Sequence, residues 1–145
     1  MSERVEQAVA AFEAGYNCAE AIVGTYGPAL GLGGAVSVRA ASGLGAGLGR
    51  RGEVCGAVSG ATVVLGLRHG REQAEDKTGK DRVYGLVREF LKRFEARMGA
   101  IRCRELLGME IETAEGLRAA RESGRVEEVC PQCVRAAAGL LEEML

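Results

Sequence analysis

Six apolar side chains, Val83, Leu86, Val87, Phe90, Leu91 and Phe94, alternate steps of three residues and one, so that each has another three or four residues away, and Arg82, Arg88, Glu89, Lys92, Arg93 and Glu95 fill the positions around them. A 3.6-residue period gathers such a set onto one stripe of a helix, and that stripe must pack against another element. The pattern predicts a long amphipathic helix over residues 72–98, with Gly99 as its stop. Residues 2–16 carry the same signal, with Ser2 as cap and Val5, Ala8, Val9 and Phe12 on the apolar side. So do residues 131–145, through Val134, Ala137, Ala138, Leu141 and Met144. Phe12, Phe90, Phe94 and Leu141 are expected to be buried.

The rest of the chain reads as shorter helices. Asn17 is a good cap for one that begins at Cys18 and ends near Gly27, because Pro28 pushes its predecessor out of the helical region. A short helix is expected over 36–41, then a flexible or tightly turned loop to 52. Residues 54–69 read as a helix studded with Gly56, Ser59 and Gly60, although the Val63-Val64 pair leaves a strand open over 62–67. Further helices are expected over 101–107 and 113–122, the second capped by Thr113. The predicted fold is all-α: one domain over residues 1–145, a bundle of about five to seven helices around one core, with the glycine-rich helix at its centre.

Composition narrows the function. Hydrophobic residues make up 47% of the chain, too many for intrinsic disorder. The formal net charge of −1, with both signs mixed along the chain, argues against a nucleic-acid binder. No window reaches the ~18 consecutive apolar residues of a membrane span. Glu3, Glu6 and Glu13 interrupt the first residues, so no secretory signal is expected there. The expected location is the cytoplasm, where stable disulfides are rare and five cysteines suggest metal binding or redox chemistry before structural bridges.

All five cysteines are expected at or near helix N-termini. Cys18 follows the Asn17 cap, Cys55 opens the glycine-rich helix, and Cys103 lies in the first turn after Gly99. Cys130 precedes Pro131, a residue favoured at the first helical position, and Cys133 sits one turn further on. Free N–H groups and the helix dipole favour a thiolate at such places, and the thiolate is both the nucleophile of exchange chemistry and a ligand of soft metals. Cys130-Pro-Gln-Cys133 has the spacing for one metal ion or a disulfide within a turn. Any of the other three taken alone can equally be a small buried hydrophobe. Gly56 and Gly60 are candidates for close approach of a neighbouring helix or a bound cofactor. Arg50 and Arg51 could stabilise a Cys55 thiolate or an anionic cluster. His69 reads as a cation at a helix C-terminus before it reads as a ligand. GLGAGLG lacks the strand and acidic residue of a dinucleotide site.

The NCAEA context of Cys18, the Cys55-Gly-Ala-Val-Ser-Gly60 element, Cys103 in RCRELLG and Cys130-Pro131 before the closing helix together resemble the C_GCAxxG_C_C family of redox-active proteins. The resemblance covers nearly the whole chain. It implies a redox role for four hallmark cysteines, Cys18, Cys55, Cys103 and Cys130, with Cys133 as an addition that could act as a resolving thiol. It does not imply a substrate.

Two main uses of these cysteines are open. They could converge on an iron–sulfur cluster or metal ion, with Cys18, Cys55, Cys103 and Cys130 as ligands. Alternatively, pairs of thiols could cycle between dithiol and disulfide, making the chain a thiol- or cluster-based oxidoreductase with an unidentified electron donor or acceptor protein. A non-catalytic metal-binding or sensor module, and a helical structural protein with incidental cysteines, are the alternatives. A homo-oligomer is left open.

Overall fold

The computed structural model describes residues 2–145 and contains eight right-handed α-helices: α1 (Glu3–Glu13), α2 (Cys18–Tyr26), α3 (Gly34–Ala41), α4 (Gly56–His69), α5 (Lys77–Met98), α6 (Cys103–Leu107), α7 (Ala114–Glu122) and α8 (Arg125–Met144). The all-α bundle read from the sequence is the fold, with one more helix than the upper expectation. The strand considered over 62–67 is helical, and the only β pairing among the described residues is an isolated antiparallel bridge between Val54 and Arg102.

Local chemistry sets most of the helix starts. Ser2, Asn17, Asp76 and Thr113 each accept a backbone N–H with the side chain. At Asn17 the bond is reciprocated: its Oδ1 accepts from the Glu20 N–H at 2.8 Å, and its own N–H donates to Glu20 Oε1 at 2.9 Å. This capping box fixes where Cys18 enters its helix.

Two starts differ from the sequence reading. The long helix begins at Lys77 and not near 72, because Asp76 caps it by accepting the Gly79 N–H at 2.8 Å. The last helix begins at Arg125, six residues before Pro131, after a left-handed Gly124. Arg125 anchors that start by donating to the carbonyls of Leu107 at 3.2 Å and Leu106 at 3.1 Å. Pro131 therefore lies inside α8, where it deprives the Glu127 carbonyl of its helical donor.

The main core is built by α1, α2, α4, α5 and α8, with Ile22, Tyr26, Val64, Leu65, Phe90, Phe94, Leu140 and Leu141 fully buried. Each such side chain contributes roughly 1.5–3 kcal/mol by leaving water. The α4 helix is central, and its glycine content explains how: a Cβ on Gly60 would stand 3.2 Å from Ala19 Cα and carbonyl O. The α2 and α4 backbones cross where only hydrogen fits. Phe12 departs from expectation. It is half-buried and faces a surface groove.

The single core expected from the sequence is in fact two. Cys103, Leu107, Ile111 and Ala120 form a second, smaller core under α6 and α7, joined by Leu117, Val126 and Val129. α8 contributes to both.

The loop between α3 and α4 turns left-handed. Ala46, Gly47, Leu48, Gly49 and Arg50 all have φ between 55° and 73°, and the Gly49 N–H donates to the Gly45 carbonyl at 3.0 Å. Left-handed geometry costs a non-glycine L-residue roughly 1–2 kcal/mol, so Ala46, Leu48 and Arg50 carry backbone strain.

Candidate functional site

The bridge between Val54 and Arg102 sets two of the cysteines side by side. The Cys55 N–H donates to the Ile101 carbonyl at 2.8 Å, and the Cys103 N–H donates to the Glu53 carbonyl at 2.7 Å. The close α2–α4 crossing adds Cys18, since a Cβ on Gly56 would meet Cys18 Cβ at 3.3 Å. α8 supplies Cys130 and Cys133 from above. The left-handed turn closes the remaining side, where Gly47 fits because a Cβ there would stand 2.8 Å from Cys103 Cβ.

All five cysteines therefore line one cavity of about 40 Å³, whose other walls include Leu106, Leu107 and Val129. The four hallmark cysteines meet there despite their separation in sequence, and Cys133 meets them. All five are free thiols. Cys18, Cys55, Cys103 and Cys133 are buried and Cys130 is half-buried. Gly56 lines the cavity; Gly60 does not, being spent on the helix crossing.

The expectation that every cysteine opens a helix holds for Cys18, Cys55 and Cys103 but not for the other two. Cys130 and Cys133 lie in the interior of α8, because that helix starts at Arg125. Neither stands at a helix end.

The thiols are not equivalent. Cys55 is held well below the ordinary thiol range by side-chain hydrogen bonding from Cys133 and then from Cys18, with the N–H groups of Ala57 and Val58 adding to this against the opposing effect of burial. Its side chain makes no full capping hydrogen bond, so the sulfur donors dominate over the helix end. Cys18 is pushed well above that range by hydrogen bonding with Cys130, then with Cys55, and by burial. Cys133 is raised by hydrogen bonding to Cys55 and then by burial. Burial, followed by the charges of Cys55 and Cys130, pushes Cys103 up to about 12. The hydrogen bonds that favour the thiolate form of Cys55 favour the protonated forms of Cys18 and Cys133. The sulfurs form a chain of contacts, Cys130 to Cys18 to Cys55 to Cys133, with Cys103 beside it.

The groups that chiefly lower Cys55 are Cys133, Cys18 and the backbone N–H groups of Ala57 and Val58, not Arg50 or Arg51. Arg51 is 3.9 Å from Glu53 and 3.6 Å from Glu112. Arg50 instead lines an open groove of about 400 Å³ that reaches Cys18, Cys103 and Cys130 from the surface. Arg121 and Phe12 line the same groove, a role that no local sequence signal gives Arg121. His69 is far from the cysteines in role: it ends α4, and its Nε2 is buried with no hydrogen-bond partner.

The C_GCAxxG_C_C family profile, described as "Putative redox-active protein", matches residues 16–144. The chain belongs to the C_GCAxxG_C_C family. The matched span contains every cysteine, so in this member of the C_GCAxxG_C_C family all the thiols sit on the family's own scaffold. No curated protein and no solved structure matches the chain.

An iron–sulfur cluster or a metal ion would need several of these sulfurs around one centre. The donor type is right, since thiolates are the usual ligands. Among the described residues no group of three or more His, Cys, Asp or Glu side chains is placed to hold a metal ion in this arrangement. The cavity that the sulfurs line, about 40 Å³, would have to widen to admit a cluster. No helix among the described residues is long and apolar enough to cross a membrane.

Proposed function

We propose that this chain is a thiol–disulfide redox protein working in the cytoplasm, in which Cys18 and Cys130 form an outer exchanging pair and Cys55 and Cys133 an inner pair. The observation that carries the reading is the gathering of buried Cys18, Cys55 and Cys133 with half-buried Cys130 around one small cavity. Exchange needs a thiolate, a neighbouring sulfur and access. Cys55 supplies the first, each pair the second, and the groove at Cys130 the third.

In this reading an oxidised partner first meets Cys130. The disulfide passes to Cys18 and then, by exchange at Cys18 with the Cys55 thiolate, inward to Cys55 and Cys133. Each exchange forms one S–S bond and breaks another, so electrons move outward as the disulfide moves in. Cys103 stays outside both pairs, since burial and the charges of Cys55 and Cys130, and no hydrogen bond to a neighbouring sulfur, set its thiol. A dithiol protein or small thiol is the class of electron donor that returns the chain to its reduced form.

The test is to reduce the protein under anaerobic conditions, oxidise it with a mild thiol oxidant, and map linked peptides by mass spectrometry. The expected links are Cys18–Cys130 and Cys55–Cys133, with Cys103 free. A sample purified anaerobically and found to hold stoichiometric iron or zinc, with a cluster spectrum, would overturn the dithiol reading in favour of a cluster or metal centre on Cys18, Cys55, Cys103 and Cys130. Failure to oxidise any pair would leave the thiols as core residues.

A further inference from the structure

The groove above the cysteines is asymmetric in charge. Arg50 and Arg121 both line it, and among the described residues neither pairs with a carboxylate, although Arg51 next door is engaged by Glu53 and Glu112. The one carboxylate in the lining, Glu20, is already committed: its Oε1 accepts the Asn17 N–H at 2.9 Å and its Oε2 the Ser42 hydroxyl at 2.8 Å. Apolar Phe12 and Ile111 make up part of the remaining wall, and Cys130 sits in the lining. At about 400 Å³ the groove is in the size range of small-molecule sites. Free guanidiniums beside a thiol recognise carboxylates, singly or as a bidentate fork.

We propose that the groove selects small disulfides that carry carboxylates, placing the S–S bond at Cys130 and the carboxylates on Arg50 and Arg121. This rests on the thiol–disulfide reading and adds the substrate class. The chemistry balances with the chain's own thiols. Cys130, as thiolate, attacks one sulfur of the substrate; its S–S bond breaks, one thiolate leaves and takes up the proton Cys130 gave up. Cys18 then attacks the Cys130 sulfur, forming the Cys18–Cys130 bond, and its proton passes to the second substrate thiolate as that thiolate leaves. Two protein thiols are oxidised by two electrons, and one disulfide is reduced to two thiols.

The experiment compares the rate at which fully reduced protein loses thiols to three probes at low salt: glutathione disulfide (anionic), cystamine (cationic) and 2-hydroxyethyl disulfide (neutral). After correction for each probe's rate with a free thiol, glutathione disulfide is expected to lead cystamine by about tenfold, the scale of electrostatic attraction into a charged cleft, with the lead shrinking in salt. Arg121→Gln and Arg50→Asn, the latter a residue that tolerates left-handed φ, should each reduce that ratio several-fold. Arg118→Gln, exposed on α7 outside the groove, should leave it unchanged. Equal corrected rates for the anionic and cationic probes, or a ratio untouched by both groove variants, would overturn the substrate class while leaving the redox reading in place. Failure of the neutral probe to oxidise any pair would instead overturn the redox reading itself.

Discussion

Cys133 shares a helix with Cys130, one turn away, yet its thiol hydrogen-bonds to Cys55 on a different element. The relationship decides how the C-x-x-C spacing is used here. In a redox pair built on that spacing, the first cysteine sits at a helix N-terminus and the second one turn inside. In this chain the helix begins earlier, both sulfurs project from its interior, and each finds a partner across the bundle.

Replacing one member of each pair should separate them. Cys133→Ser is expected to leave the Cys18–Cys130 link on oxidation, and Cys130→Ser to leave Cys55–Cys133. Thiol counting in denaturant after oxidation measures this. A Cys130–Cys133 link as the main product in wild type would contradict the pairing.

Two glycines of α4 should respond oppositely to alanine. At Gly60 the new methyl would press on Ala19 at 3.2 Å, so Gly60→Ala is expected to destabilise by about 1–3 kcal/mol. At Gly66 nothing lies within 4 Å, and Gly66→Ala should stabilise by about 0.5–1 kcal/mol through helix propensity. Urea denaturation of the two variants checks the contrast, and equal signs would refute the packing argument.

The left-handed turn offers a third contrast. Leu48 is 46% exposed with φ 66°, so Leu48→Gly gives up little burial and relieves a disfavoured backbone. A gain of about 1 kcal/mol in unfolding free energy is expected. A loss of similar size would mean that the Leu48 side chain contributes more than its backbone costs.

Alkaline pH should weaken the fold through the thiols. Cys103 rises to about 12 in the folded chain from an ordinary 9.0, so the folded state keeps a proton that the unfolded state releases. Its stabilising contribution is complete below pH 9 and is lost as pH rises from 9 towards 12. Cys18 and Cys133 shift in the same direction, while Cys55 shifts the other way. The urea midpoint should therefore fall across that window, and Cys103→Ala should fall less than wild type. Parallel curves for the two proteins would remove Cys103 as a cause.

How legible this was depended on whether the deciding chemistry was local. Ser2, Asn17 and Thr113 act on backbone groups within three residues, so the starts of α1, α2 and α7 could be read directly. Pro131 misled because its preference for a first turn is local too, but tertiary contacts overrode it: Arg125 anchored on the Leu106 and Leu107 carbonyls starts the helix six residues sooner. Gly124 followed by Glu127 and Glu128, acids suited to a first turn, was the signal available. The meeting of the cysteines was legible in outline from the helix starts at Cys18, Cys55 and Cys103 and from the family pattern. Their pairing was not, because it depends on the Val54–Arg102 bridge and on the register between α4 and α8, neither of which leaves a mark in the sequence.

A protein with two cores of unequal size that share one helix has no reason to come apart in a single step. The smaller core has four buried side chains under α6 and α7; of the α8 residues Val126 joins it alone, Val129 and Cys130 pack against both cores, and Val134, Ala137, Ala138, Leu140 and Leu141, after Pro131, belong to the main core. The missing hydrogen bond at Pro131 falls just past Val129 and Cys130, the α8 residues the two cores share. Local opening follows such boundaries, and its free energy tracks the apolar contacts that must be broken. Amide exchange should thus divide the chain into two populations: fast through residues 103–130, slow through α2, α4 and the second half of α8. The cysteines lie along that fault line, so the least costly opening of this molecule is also the one that uncovers its sulfurs.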